Sequence, residues 1–236
     1  MIKKALLTFL FLFQIFLPHV FAQYNSSLFS FSANYNYTTT SKLFINPNSP
    51  DPILSSTYLE LDDIGSYSFE FRYRISEPLI IGIIGEYINK INTNAPISLG
   101  GIRLDMKEGF RVFPVELTIY YLLPFSTSQF KFLMGGGGGI YIGNEIRSIR
   151  EASINNVSKK IGYGIQVAVG MDYLVTEYFA VRGQMRFRDP EFQMKSSYNV
   201  KSIEYQGRTI NLPSNPFDTK VNIDGITFSI GAVFIF

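Results

Sequence analysis

The chain has 236 residues with 21 Lys and Arg against 19 Asp and Glu, a net charge of +2 that gives no electrostatic argument for nucleic acid. It contains no cysteine, which excludes disulfides, a thiolate nucleophile and a lipidated amino-terminal cysteine. Aromatic residues make up 16% of the chain but none is Trp, so any interfacial aromatic belt must be built from Tyr and Phe.

Lys3 and Lys4 precede an apolar run over residues 5–17, broken only by Thr8 and Gln14, and Pro18 and Val20-Phe21-Ala22 follow. This predicts a signal peptide over residues 1–22, cleaved after Ala22. The run falls short of the ~20 residues that a spanning helix needs. The single histidine, His19, leaves with the signal peptide. The mature domain, residues 23–236, then has no imidazole for a zinc site or a catalytic base, and a Ser-His mechanism is excluded. The expectation is a protein that is not an enzyme and binds no metal or cofactor.

Eight strands are predicted from alternation, because side chains of a strand point to opposite faces in turn. The first, 28–38, sets Phe29, Phe31, Ala33, Tyr35 and Tyr37 against Ser30, Ser32, Asn34 and Asn36. The second, 64–76, holds the clearest pattern: Tyr67, Phe69, Phe71, Tyr73 and Ile75 against Ser68, Glu70, Arg72 and Arg74. The third, 79–91, opposes Ile81, Ile83 and Tyr87 to Gly82, Glu86 and Lys90. The fourth, 110–123, opposes Phe113, Val115, Leu117, Ile119 and Tyr121 to Pro114, Glu116, Thr118 and Tyr120. The fifth, 130–143, contains Gly135 to Gly139 in succession. The sixth, 160–174, sets Ile161, Tyr163, Ile165, Val167, Val169, Met171 and Tyr173 against Gly162, Gly164, Gln166, Ala168, Gly170 and Asp172. The seventh, 178–188, and the eighth, 225–236, close the series with Arg182, Arg186 and Arg188 on the polar face and Phe228, Ile230, Phe234 and Phe236 on the apolar one.

Short connections at 76–78, 124–129 and 175–177 alternate with long ones at 39–63, 92–109, 144–159 and 189–224. That alternation is the outer-membrane pattern, with short periplasmic turns and long extracellular loops. A soluble ligand-binding barrel also alternates, with its apolar face inward. Three features favour lipid outside. The polar face is rich in Gly, Ala and Ser, which suits a narrow lumen. The strands exceed the ~9–11 residues of a membrane crossing. Tyr73, Tyr121, Tyr173, Phe179 and Phe236 gather near one rim and Tyr35, Tyr67, Tyr87 and Tyr163 near the other, as two girdles. The fold expected is all-β: an eight-stranded antiparallel up-and-down transmembrane β-barrel.

These residues resemble the small outer-membrane β-barrel superfamily, the eight-stranded proteins similar to the OmpA transmembrane domain, OmpX and OmpW. The resemblance rests on the strand from Gly164 to Tyr173, the glycine-rich fifth strand, and the terminal Phe228-x-Ile230-x-Ala232-x-Phe234-x-Phe236. It implies residence in the cell outer membrane among membrane lipids and lipopolysaccharide, as a monomer. It also implies that Phe228, Phe234 and Phe236 form the signal read by the outer-membrane assembly machinery. There is no counterpart of the periplasmic peptidoglycan-binding domain of OmpA, so a cell-wall anchoring role is not expected.

Parity directs ten charges into the lumen: Glu70, Arg72, Arg74, Glu86, Lys90, Glu116, Asp172, Arg182, Arg186 and Arg188. Of these Glu70, Arg72, Glu86, Glu116 and Arg186 are placed at middle depth. They form either a salt-bridge plug, since buried charges must be paired, or a constriction that filters solute. Six cations against four anions would make a leak slightly anion-selective. The five glycines lack the Lys-Ser/Thr and helix of a phosphate loop and instead leave room for a facing side chain such as Arg72 or Arg186. Residues 200–205 and 208–212, joined at Gln206-Gly207, read as a hairpin above the membrane, offering an edge to an extracellular protein or surface ligand or merely prolonging the wall. The first long loop, with Leu43, Phe44, Ile45, Ile53 and Leu54, is expected to fold over the mouth.

Overall fold

The structure, a computed structural model, describes residues 27–99 and 102–236. The expected signal peptide lies outside them. The described residues form β1 (Phe29–Phe44), a short helix α1 (Pro52–Ser56), β2 (Tyr58–Arg74), β3 (Leu79–Leu99), β4 (Ile102–Leu122), β5 (Phe130–Ile149) and β6 (Ala152–Lys159). They continue with β7 (Gly162–Leu174), β8 (Phe179–Arg188), β9 (Glu191–Tyr198), β10 (Ser202–Tyr205), β11 (Arg208–Asn211), β12 (Phe217–Asn222) and β13 (Ile226–Ile235). The fold is all-β and antiparallel.

Thirteen strands stand where eight are expected, because much of the four long connections is itself paired strand. β1 and β2 stay in register from Phe29↔Tyr73 to Phe44↔Tyr58. β3 and β4 pair up to Leu99↔Ile102. Pairing runs β1–β2–β3–β4–β5–β7–β8–β13, and β13 pairs back onto β1 from Ser30↔Ile235 to Thr38↔Thr227. In the upper wall β6, β9 and β12 fill the span between β5 and β1. The short turns and the first and last strand ends share the opposite, lower rim, where Phe29 N–H donates to the Phe236 carbonyl and Phe236 N–H to the Phe29 carbonyl.

The wall has two chemistries, one above the other. In the lower part the large apolar side chains face out. Tyr67, Ile165 and Ile230 are each more than 60% exposed, while Glu70, Glu86, Glu116, Arg182 and Arg186 on the inner face are buried. In the upper part this reverses. Leu43, Leu61, Phe192, Met194, Val221 and Ile223 point inward and are buried, whereas Lys42, Glu60, Gln193, Lys195, Asp218 and Lys220 point outward. On β1 and β2 the switch falls at Thr39 and Asp63, where the inward residues change from even-numbered in the lower wall to odd-numbered in the upper, and Asp63 adopts φ 55°. A left-handed residue in a strand is a bulge device that re-aims the side chains beyond it. The upper segments therefore alternate as strands bathed in water do, with the oily face inside.

Cross-strand aromatic pairs line the lower exterior. Phe29 lies 5.1 Å from Tyr73, Phe31 5.8 Å from Phe69, Tyr35 5.5 Å from Tyr67, Phe130 5.0 Å from Tyr173 and Phe179 5.6 Å from Phe234, between ring centroids. Each such pair is worth about 0.5–1.5 kcal/mol beyond burial.

The upper wall is not continuous. β2 and β3 part company above Ser66↔Ile88, after which β2 follows β1 and β3 follows β4. Between β5 and β6 the ladder is interrupted too, and there the Asn156 carboxamide donates to the Glu145 carbonyl and accepts from the Glu145 N–H, both at 3.2 Å. One amide side chain thus replaces the missing ladder bonds of a buried strand position.

Candidate functional site

The inward charges of the lower wall resolve into two stacked clusters, each with two cations and two anions. In the cluster nearer the short turns, Arg182 of β8 clamps Asp172 of β7 in bidentate fashion, Nε to Oδ1 at 2.7 Å and Nη2 to Oδ2 at 2.8 Å. Its Nη1 donates to Glu70 Oε2 at 2.6 Å and to Ser32 Oγ at 3.1 Å. Arg72 Nε lies 2.8 Å from Glu70 Oε1, and Arg72 Nη2 donates to Gln184 Oε1 at 3.0 Å. In the cluster above, Arg186 Nη1 donates to Glu116 Oε2 at 2.5 Å and Nη2 to Glu86 Oε2 at 3.0 Å. Arg188 Nη1 donates to Glu86 Oε2 at 2.6 Å, Ser66 Oγ donates to Glu86 Oε1 at 2.6 Å, and the Tyr141 hydroxyl donates to Glu116. Bidentate and charge-assisted bonds of this kind are what allow eight charges to be held out of water together.

The five residues expected at middle depth are all brought into these clusters: Glu86, Glu116 and Arg186 share one, Glu70 and Arg72 the other. Asp172, Arg182 and Arg188 belong with them as full partners. Their inward parity was legible, but strand direction alone placed them too near the rims. The six-to-four charge balance does not describe this network, which is neutral. Of the remaining two cations, Arg74 lines the space at the lower rim together with Arg72, Asp172 and Arg182, and Lys90, on the upper wall, reaches the Asp63 carbonyl at 3.2 Å.

The glycine run makes room for neighbours on β4 rather than for Arg72 or Arg186 directly. A Cβ at Gly135 would stand 2.6 Å from the Tyr120 ring, and one at Gly139 would stand 2.7 Å from Glu116 Cγ. Arg72 follows at one remove, its guanidinium carbon 3.9 Å from the centroid of the Tyr120 ring. Phe228, Phe234 and Phe236 all project outward at the end of the chain and are about half exposed.

Above the ionic clusters lies a packed apolar layer of Leu43, Leu61, Ile64, Ile88, Phe110, Val112, Tyr141, Phe192, Met194, Val221 and Ile223. Above that is a third polar cluster, which sequence alternation does not reveal because its members sit in stretches expected as loops. Arg147 of β5 bonds Glu108 of β4 through Nε at 2.5 Å and Nη2 at 3.1 Å, and lies 3.0 Å from Glu145. Ser196 and Thr219 donate to the far oxygen of Glu145 at 2.8 and 2.9 Å. Burial pushes the Glu108 carboxyl up to about 7; the nearby Glu145 carboxylate adds to the rise, against the pull of Arg147. Two buried carboxylates sharing one guanidinium leave a site in which one proton is readily held at neutral pH.

The expected hairpin is present as β10 and β11, turned at Gln206 (φ 50°) and Gly207 (φ 73°). One of its faces is taken, while Glu204 and Thr209 on the other are exposed. Ile203, Ile210 and Leu212 are buried against Leu104, Met106, Ile149 and Ala152, so the hairpin is a lid over the upper end. The first long connection divides: Leu43 joins the interior, but Ile53 and Leu54 on α1 are exposed and do not cover the mouth. Among the described residues no group of acidic or histidine side chains is arranged to hold a metal ion, and no helix is long and apolar enough to cross a membrane.

No family model matches the chain, and no curated protein matches it in sequence. Solved structures do match its fold. The chain is similar to the outer membrane protein OprG from Pseudomonas aeruginosa, with a TM-score of 0.62, 13% identity, and coverage of 89% of this chain and 96% of that one. It is also similar to Neisserial surface protein A, with a TM-score of 0.50, 12% identity, and coverage of 88% and 97%. Both are matched over nearly their whole length. The chain has the fold of the small outer-membrane β-barrel superfamily.

Proposed function

We propose that this protein is an integral outer-membrane barrel of eight membrane-crossing strands, a monomer whose interior is a plug and whose work is done by its outer end. On this reading it is a structural and surface-presenting part rather than a catalyst. The carrying observation is the neutral packing of Glu70, Arg72, Asp172, Arg182, Glu86, Glu116, Arg186 and Arg188 across the interior, each almost wholly buried. At the lower rim, the space bounded by Arg72, Arg74, Asp172 and Arg182 amounts to about 20 Å³, room for about one water. A solute path would require these pairs to part, and a buried pair loses about 3–5 kcal/mol when one partner is withdrawn.

The membrane reading is supported by the outward Tyr, Phe, Ile and Val rows of the lower wall and by the inverted alternation above them. Such rows in water would be an apolar patch far larger than a soluble monomer carries. The lid and the polar upper exterior are the surfaces open to an extracellular protein or surface ligand. Reconstitution into planar bilayers tests the plug: the intact protein is expected to give no single-channel steps. Stable steps that change on Glu116→Gln or Arg186→Met would replace the plug with a narrow channel.

A further inference from the structure

We propose that a cleft on the outer face of the upper wall, formed by Lys160, Gln193 and Lys195 with Ser158, seats a phosphate group of a glycolipid in the surrounding outer leaflet. The inference rests on the membrane reading above and adds to it a specific site. The cleft has a volume of about 250 Å³ and is bounded on its far side by Asn48 and Asp218.

Its charge is unusual for this wall. Lys42 is held by Asp224 at 2.5 Å and Lys220 by Glu191 at 3.2 Å, so both lysines are neutralised where they stand. Among the described residues Lys160 instead reaches only the Gln193 side-chain oxygen, at 3.2 Å. Lys195 lies 3.8 Å from Asp218 Oδ1, a loose contact, while the other Asp218 oxygen accepts from Asn48 at 3.1 Å. Two cations against the single counter-charge of Asp218, beside an amide and a hydroxyl, leave a net positive donor set for a phosphate.

Height selects a membrane glycolipid as the source. Lys160 follows the wall three residues above Tyr163, which is 71% exposed and belongs to the upper aromatic row. Lys160 lies in the connection between β6 and β7, and three residues of even fully extended chain span at most roughly 10 Å, so it stands within that distance of the aromatic row. The polar head-group layer outside the hydrocarbon is about 5–8 Å thick on each side. The cleft therefore opens where lipid phosphates lie, with Ile161 below it exposed toward the acyl chains. Nothing comparable recommends the acidic cleft between β2 and β3, where Glu60, Asp62 and Asp63 outnumber Lys90 and would repel a phosphate.

The test uses the full protein in mild detergent, titrated with bisphosphorylated lipid A and followed by native mass spectrometry, with flotation on lipid vesicles read in parallel. Lys160→Gln with Lys195→Gln is expected to weaken retention of the lipid roughly tenfold or more. Lys42→Gln, on the same wall but at an ion-paired position, is expected to leave it unchanged. Dephosphorylated lipid should bind the intact protein no better than lipid A binds the double variant. Equal retention by intact protein and double variant, or equal binding of the two lipids, would overturn the site. Displacement of lipid A by millimolar inorganic phosphate would assign the cleft to the free ion and overturn the glycolipid. A protein that fails to float with vesicles would instead sink the membrane reading on which the site depends.

Discussion

Arg186 of β8 and Glu116 of β4 meet across the interior of the closed sheet at 2.5 Å, although 70 residues separate them in the chain. Two strands, β5 and β7, stand between them, so this bond braces the closed sheet across its interior. Glu116 also accepts from Tyr141, and Arg186 also bonds Glu86. Removing the cation alone leaves Glu116 and Glu86 with only Arg188. Arg186→Met is expected to destabilise the folded protein by about 3–5 kcal/mol. Combining it with Glu116→Gln restores part of that loss, because the neutral amide still accepts from Tyr141. Urea unfolding in lipid vesicles measures both, and an Arg186→Met variant as stable as the parent would show that the pair is not a tie.

Gly136 and Gly137 are neighbours with opposite surroundings. A Cβ at Gly137 would stand 1.9 Å from the Leu117 carbonyl oxygen, whereas one at Gly136 would meet nothing nearer than 3.6 Å. Gly137→Ala must shift backbone and is expected to cost about 1–3 kcal/mol, or to abolish assembly. Gly136→Ala should be tolerated within about 1 kcal/mol. The shift between heated and unheated gel mobility reads both, and equal behaviour of the two variants would contradict the close approach of Gly137 to the β4 backbone.

Val167 projects from the lower exterior of β7, about half exposed. Val167→Arg is expected to cost about 2–4 kcal/mol in a bilayer, and the same change at Ser158, in the upper wall, no more than about 1 kcal/mol. Comparable losses at the two positions would mean that hydrocarbon does not bathe the lower wall.

Glu108 gives the upper end a pH dependence. Its folded pKa of about 7 lies above the ordinary 4.5, so the folded state binds its proton more tightly. The stability this confers is fully present below about 4.5 and is lost as pH rises through about 7. The span amounts to on the order of 1–3 kcal/mol. Amide protection in the upper parts of β4 and β5, corrected for intrinsic exchange, should be greater at pH 5 than at pH 8. Glu108→Gln should remove that difference; its persistence would assign the effect to another group.

Ile203 and Ile210 hold the lid down from the two strands of the hairpin. Ile203→Asp is expected to release it, making the Gln206–Gly207 turn a protease site while the lower wall keeps its heat-modifiable mobility. Resistance unchanged from the parent would show that the hairpin is held by other contacts.

The lower wall was legible in the sequence because an apolar exterior and a narrow polar interior impose one simple rule on every residue. Tyr67-to-Ile75 and Ile161-to-Tyr173 obey it position by position, and inward parity marked Glu70, Arg72, Glu86, Glu116 and Arg186 before any fold was known. The upper wall obeys the opposite rule, with a change of phase at Thr39 and Asp63, and so its strands pass for loops when one phase is sought throughout. Only the tertiary structure decides which charge meets which. Parity fixes the face a guanidinium occupies, but its partner depends on strand stagger around the closed sheet, which sets Arg182 beside Asp172 and Arg188 beside Glu86. The same holds for Glu108 with Arg147 and for the lid. Their contacts join segments far apart in the chain, and no local periodicity records them.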